Sequence, residues 1–420
     1  MTDKPVAGNL SPGTKPVLLV LASTYPRWPG DPEPGFVHEL ARRLTDRFRV
    51  IVVGPHAPDA KPRETMDGVE VVRYRYAPER WETLVNDGGI VTNLKRARWK
   101  LLLVPGFVLG QAWVAWRLMR RERVAVIHAH WIVPQGLTAA LLHAMRVNSV
   151  PFVITAHGSD LNGLRGRIWG SLKRFALQRA AAVTVVGAPM RKLALSAGCG
   201  EEKLFVRPMG VDMVNMFTPD PEHVRSEREI LFIGRLVRGK GVDLLLHAMP
   251  LVLQRLPDAK LVVVGHGPER KALVELAKLI GVEAAVRFVG PKSHEQLPHL
   301  LRSCGVFVAP FAAEEGLGLV MVEAIACGCS VVAGDVPATR DLLGPDADLC
   351  LVDPRDSAAL SEKIVHALQS PGESMARYRH LRERLLVTFD WGYVAGRYGM
   401  MLAALARGER LSGDSSSAAS

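Results

Sequence analysis

Ile230-Leu-Phe-Ile-Gly-Arg-Leu-Val-Arg-Gly-Lys-Gly241 decides the fold: a short apolar run gives way to a glycine-punctuated turn carrying three cations. A run of this length, rich in branched residues and closed by glycine, reads as a buried strand of a parallel sheet. The motif recurs downstream at Leu261 to Val264, Val286 to Val289, Val306 to Ala309 and Ser330 to Ala333. An earlier series stands at Val17 to Leu21, Val50 to Val53, Val124 to His128, Phe152 to Thr155 and Ala182 to Val186. Helical stretches separate the runs, which predicts α/β architecture twice over, each parallel sheet covered on both faces.

A chain of 420 residues is long enough for two such cores. Pro219, Pro221 and neighbouring charges interrupt the apolar rhythm, so the boundary is placed at Pro219 to Glu222. The expected division is 1–218 for the first domain, 219–388 for the second, 389–410 for a closing helix and 411–420 for a frayed serine-rich tail.

Composition narrows the function. Hydrophobic residues at 48% and charged residues at 23% describe an ordinary globular protein. Five cysteines with no repeated pair spacing suggest reduced buried thiols rather than a disulfide framework or zinc site. The apolar run at Val17 to Leu21 is too short for a signal-peptide core. Leu101 to Trp116 and Val124 to Met145 are not read as membrane spans: the first is short and contains Pro105, the second contains Pro134 and three histidines. The expected location is the cytoplasm. A net charge of +11 implies an anionic partner, and the excess sits early: Lys61 to Arg121 holds twelve Lys/Arg against six Asp/Glu.

In open α/β sheets ligands bind beyond the carboxyl ends of the strands, so the loops there are where chemistry is sought. Glu315-Gly-Leu-Gly-Leu-Val-Met-Val-Glu323 follows one strand and runs into an apolar helix. Its glycines let backbone approach a phosphate; Glu315 stands in the loop and Glu323 about one turn inside the helix, placed to accept from vicinal hydroxyls. On the Gly234 turn, Arg235 and Lys240 can clamp a diphosphate leaving group, whereas Arg238 reads as a solvated cation. Gly265-His-Gly267-Pro repeats the theme after the next strand. In the N-terminal half, Thr155-Ala-His157-Gly-Ser-Asp160 places His157 at a strand end, as a structural histidine or as a hydrogen-bond partner of a sugar hydroxyl. His128, His130, His157 and Asp160 lack a tight ligand spacing, so no metal is expected.

These residues together resemble the family-4 retaining glycosyltransferases of the GT-B fold. The resemblance rests on Tyr25-Pro-Arg-Trp-Pro-Gly with Gly35-Phe-Val-His-Glu-Leu, on His128-Ala-His-Trp-Ile-Val-Pro-Gln-Gly136, on the His157 motif, on Gly210-Val-Asp212, on the Arg235/Lys240 turn and on the two glutamates. It implies two Rossmann-like domains facing across a cleft, with a helix after Phe389-Asp390-Trp391 crossing back to the N-terminal domain. It also implies Arg235 and Lys240 on the donor phosphates, Glu323 on the nucleotide ribose and Glu315 on the donor sugar. Backbone N–H groups of Gly318, Leu319 and Val320 approach the phosphates or sugar, and His157 lies near the donor sugar. Gly35 matches the small-residue loop beneath the phosphates, although Glu33-Pro34-Gly35 departs from the frequent paired glycine there.

The implied reaction is retaining transfer of a hexose from a UDP- or GDP-sugar to a glycan or lipid-linked acceptor, with no tightly bound cofactor and no required metal. Cell-surface polysaccharide or glycolipid assembly is the expected setting. Trp99 to Arg121, with its tryptophans bracketed by basic residues, suits a helix lying on an anionic membrane surface, here the inner face of the plasma membrane, or equally a core helix with solvated ends. Competing readings are a nucleotide-sugar-binding protein without transferase activity and a sugar-nucleotide epimerase on the same fold. A nucleic-acid-binding role has no aromatic-basic module to support it.

Overall fold

The computed structural model describes residues 14–31, 35–86, 89–145, 150–163, 166–220, 222–312 and 318–413. Glu315, the Glu33-Pro34 pair and the end of the serine-rich tail lie outside the described residues. Each of two compact units is built on one sheet; residues up to Met209 join those from Val394 onward in the first, and Gly210–Tyr393 form the second.

The first sheet comprises β1 (Val17–Leu21), β2 (Arg49–Pro55), β3 (Arg63–Met66), β4 (Val69–Tyr74), β5 (Val124–His130), β6 (Phe152–Ala156), β7 (Ala182–Val185) and β8 (Leu204–Val206), in the order β3-β4-β2-β1-β5-β6-β7-β8. The second comprises β9 (Glu229–Ile233), β10 (Lys260–Val264), β11 (Val286–Gly290), β12 (Val306–Ala309), β13 (Ser330–Gly334) and β14 (Leu351–Val352), in the order β11-β10-β9-β12-β13-β14. Every pairing is parallel except β3 with β4. All ten apolar runs are strands. Four strands were not read: β3 is a largely exposed edge, β4 has its apolar run broken by Glu70 and Arg73, and β8 and β14 are three and two residues long.

Both sheets reverse their strand order beside one strand, β1 in the first and β9 in the second. Such a reversal opens a crevice outside the carboxyl ends of the strands, because successive connections leave on opposite faces. It is β9 that ends in the cationic turn.

The units divide earlier than the expected Pro219. The Val211 N–H donates to the Phe389 carbonyl at 2.7 Å and the Trp391 N–H to the Val211 carbonyl at 3.2 Å, so the Gly210 segment is tied to the second unit. Val211, Met213 and Phe217 then sit in that unit's core. The helix Trp391–Ala406 begins in the second unit and has its body in the first.

Pro105 does not interrupt a helix; it stands in the first turn of the helix Val104–Arg121, where no intrahelical N–H is lost. With the preceding turn this makes a 24-residue segment, Arg98–Arg121, long and apolar enough to cross a membrane, yet only 28% of its most apolar window is buried. Phe107, Gln111, Ala115, Leu118 and Met119 form its buried stripe, and the helix packs on β1, β2 and β4. It therefore covers the sheet with one face and exposes apolar residues on the other.

Beneath the first sheet runs a directed chain of hydrogen bonds. Tyr398 donates its hydroxyl to the Arg207 carbonyl (3.1 Å), which leaves Thr184 to donate to Tyr398 (3.2 Å), Thr155 to Thr184 (2.7 Å) and His128 Nε2–H to Thr155 (2.7 Å). His128 Nδ1 is then the bare nitrogen, and among the described residues it has no partner. Burial holds the His128 imidazole neutral, lowering its pKa from 6.5 to about 3, and pushes His130 well down for the same reason. An unfolded histidine takes up its proton near 6.5, so this stability is complete above that pH and lost as pH falls toward 3. Measured by urea unfolding, wild type should lose about 2 kcal/mol of stability relative to His128→Phe from pH 7 to pH 5; no relative loss would show that His128 titrates in the fold as it does in the unfolded chain.

Candidate functional site

In the second unit the exits of β9 and β10 are locked backbone to backbone. The Gly234 N–H donates to the Val264 carbonyl at 3.0 Å, and the Leu236 N–H to the His266 carbonyl at 2.9 Å. Gly265, at φ 137°, faces the Gly234 carbonyl so closely that any Cβ would collide with it, and Gly267 stands likewise against Leu236. On the other side Gly241, at φ 69°, lies against the Pro310 carbonyl just beyond β12. The cationic turn is thereby wedged between its two neighbours at the point of strand reversal.

That wedge sets the stations of the charged groups. Arg235 and Arg238 are exposed on the turn, and Lys240 is half-buried with Nζ 4.3 Å from the centroid of the Phe311 ring. Across the same ring, Gly318 has φ 59° and a Cβ there would come within 2.9 Å of Phe311 Cε2. Gly318 begins the helix Leu319–Ala326, so Phe311 gathers Lys240 and the helix start carrying Leu319 and Val320 into one place. Glu323, inside that helix, is nearly buried, and its Oε1 lies 3.0 Å from His294 Nε2. Cations beside a helix N-terminus receive phosphate, and a fixed carboxylate accepts from hydroxyls. Together they suit a phosphorylated ligand bearing a hydroxylated ring.

In the first unit Gly35 caps the helix Phe36–Arg43, and its carbonyl accepts from the Glu39 N–H at 2.8 Å. The Phe36 ring lies 4.9 Å from the His157 ring, with Trp131 also 4.9 Å from it. The Asp160 carboxylate ties this corner together by accepting from the N–H groups of Ile132 (2.8 Å), His157 (3.1 Å) and Gly158 (3.0 Å). Burial raises the Asp160 pKa against the pull of those donors. Burial likewise lowers His157 to about 3, with His128 adding to the shift.

Of the four groups considered as metal ligands, His130 and His157 meet side chain to side chain, and each of the four has a hydrogen-bond partner. His157 Nε2 is 3.1 Å from His130 Nδ1, His128 Nε2 is engaged by Thr155, and Asp160 is given over to backbone. His157 is thus a neutral imidazole whose Nε2 is already shared.

Sequence reasoning passed over two residues. Phe311 carried no polar signal, and its place between Lys240 and Gly318 emerges only from the fold. His294 is 29 residues from Glu323, and its one local hint was Ser293-His-Glu-Gln296, a capping box that starts a helical turn.

Comparison with known proteins places these features. The family model "Glycosyltransferase Family 4" matches residues 36–215, and the model "Glycosyl transferases group 1" matches residues 218–384. The chain is 31% identical over 320 residues to a GDP-mannose-dependent alpha-(1-6)-phosphatidylinositol monomannoside mannosyltransferase of Mycolicibacterium smegmatis, covering 70% of this chain and 81% of the relative. It is 28% identical over 302 residues to a glycogen synthase of Mycobacterium tuberculosis, covering 69% and 71%. Among solved structures, sucrose-phosphate synthase from Thermosynechococcus elongatus superposes with a TM-score of 0.75 at 22% identity, covering 93% of this chain and 99% of that one; it shares the fold. With one family model on each sheet and a relative above 30% identity across most of its length, the chain belongs to the family-4 glycosyltransferases, nucleotide-sugar-dependent enzymes of the GT-B fold.

Proposed function

We propose that this glycosyltransferase transfers a hexose with retention of configuration from a UDP- or GDP-sugar to a lipid-linked or glycan acceptor, in cell-surface polysaccharide or glycolipid assembly. The wedged β9 turn carries the reading: Lys240 is held beside the Gly318 helix start and Arg235 stands on the same turn, where a diphosphate leaving group needs positive charge. Lys240 and Arg235 bind the donor phosphates, the N–H groups of Gly318, Leu319 and Val320 approach them, and Glu323 accepts from the ribose hydroxyls. Gly234, Gly265 and Gly267 keep the phosphate floor free of side chains. The resemblance assigns Glu315 and His157 to the donor sugar and Gly35 to the loop beneath the phosphates.

The donor's C1–O bond breaks and the acceptor oxygen bonds to C1 on the same face. The departing phosphate oxygen takes the acceptor's proton, and Arg235, Lys240 and the helix dipole stabilise the charge it gathers. With two cations on the diphosphate, the step proceeds without a metal. The mannosyltransferase relative, GDP-mannose-dependent by name, makes GDP-mannose the first donor to try. Incubation with a panel of UDP-, GDP- and ADP-sugars, with and without EDTA, should give nucleotide release from one donor and no loss on chelation. Lys240→Ala should lower kcat by about a hundredfold or more; near-normal turnover would remove the electrostatic role.

The acceptor side faces a membrane in this reading, with the protein peripheral on the cytoplasmic face of the plasma membrane. Leu102, Leu109 and Trp113 are 81%, 68% and 59% exposed along the Arg98–Arg121 segment. Trp113 stacks on Trp116 at 5.0 Å, Arg120 lies over Trp116, and Arg117 and Arg121 are exposed beside them. Apolar rings with guanidinium groups at one end match a bilayer interface bearing anionic headgroups. The protein should sediment with phosphatidylglycerol vesicles, and Leu109→Asp/Trp113→Asp should weaken that at least about tenfold. Equal binding by the double variant would place the contact elsewhere.

A further inference from the structure

We propose that His294 is a positioning residue for donor binding: it holds the Glu323 carboxylate in the orientation that receives the nucleotide's ribose hydroxyls. The inference rests on the ribose role given above to Glu323.

Glu323 presents two oxygens with different surroundings. Oε1 is engaged by His294 Nε2 at 3.0 Å, and among the described residues no other hydrogen bond ends on this carboxylate. The side chain is 9% exposed and that of His294 is 53% exposed, so the histidine closes the solvent side of a nearly buried acid. An ionised carboxylate is acceptor-only, so Nε2 must carry the proton of this bond. Oε2, with two lone pairs, is left to accept from two vicinal hydroxyls.

His294 is itself held. It begins a single helical turn, His294–Gln296, whose capping box sets Ser293 against Gln296, with the Ser293 N–H donating to Gln296 Oε1 at 3.2 Å. Phe217 packs against its ring, centroid to centroid 5.0 Å. Two elements far apart in sequence therefore fix the imidazole before any ligand arrives. Without that bond the carboxylate would turn about its last torsion, and ordering it would fall to the ligand.

Calorimetric titration with GDP and UDP, each beside its 2′-deoxy form, tests the proposal on wild type, Glu323→Gln, His294→Ala and His294→Gln. Wild type should bind the ribonucleotide several-fold more tightly than the deoxy form, and Glu323→Gln should abolish that preference. His294→Ala should weaken the ribonucleotide about five- to tenfold while leaving the deoxy form unchanged, and His294→Gln, which keeps a donor near the Nε2 position, should recover most of the affinity. If Glu323→Gln keeps the ribose preference, the ribose role fails and the proposal with it. If Glu323→Gln loses the preference but His294→Ala binds as wild type, tightens, or weakens both nucleotides alike, the ribose role stands and the role of His294 is overturned.

Discussion

The contact on which the second unit depends is one between backbones. At the carboxyl ends of β9, β10 and β12 the chain turns three times in a space that admits no Cβ at Gly241, Gly265 or Gly267. Positive φ at Gly241 and Gly265 adds that an L side chain would be strained there even in open space. A cationic loop on a strand end would ordinarily be a solvated, mobile feature, and three cations on one turn would repel. Here the turn cannot swing, because its carbonyls and N–H groups are paired with the next turn on either side. The charge is therefore pre-arranged, and pre-arranged charge is worth more to a developing anion than the same charge on a free loop.

The two units handle polar chemistry in opposite ways. In the second, charged groups stand at the strand exits: Arg235 is exposed, Lys240 rests on an aromatic face, and among the described residues His294 alone bonds the Glu323 carboxylate. In the first, charge is removed from the corner that matters. His128 and His157 are neutral down to about pH 3, and the hydrogen-bond direction imposed by Tyr398 fixes which nitrogen of His128 carries the proton. His157 can accept or donate a hydrogen bond but cannot supply an imidazolium to a leaving group at neutral pH. In the reading proposed above, neutralising a diphosphate falls to the β9 turn and the Gly318 helix.

How far this could be read from the residues depended on how local each signal was. Strands such as Leu261 to Val264 were legible because burial on both faces leaves an unbroken apolar run. The glycines at 234, 241, 265 and 267 were legible as a pattern, since a turn that must exclude side chains has one composition available. The compact units part at Met209, ahead of Pro219, because Val211 joins the second unit through the Phe389 and Trp391 backbones, a pairing between segments nearly the length of a domain apart. His294 was missed for the same reason: nothing within its own neighbourhood records that a carboxylate on another helix will lie beside it.

The basic composition illustrates a subtler limit. Arg302 spends its guanidinium on the carbonyls of Met216 and Thr218; Arg382 on Met213 and Ala326; Lys173 spends its ammonium on Leu161 and Gly163. Each acts as a clamp that stitches a loop to its core. A carbonyl does not cancel a charge, so these residues still contribute to the field around the protein, which reaches about 8 Å at physiological salt. They cannot, however, bond a phosphate without releasing the segment they hold. Net charge counts both kinds alike, so it reads correctly as a bias toward anions and incorrectly as a measure of contacts. In the second unit Arg235 and Arg238 are exposed on a turn that is packed against its neighbours.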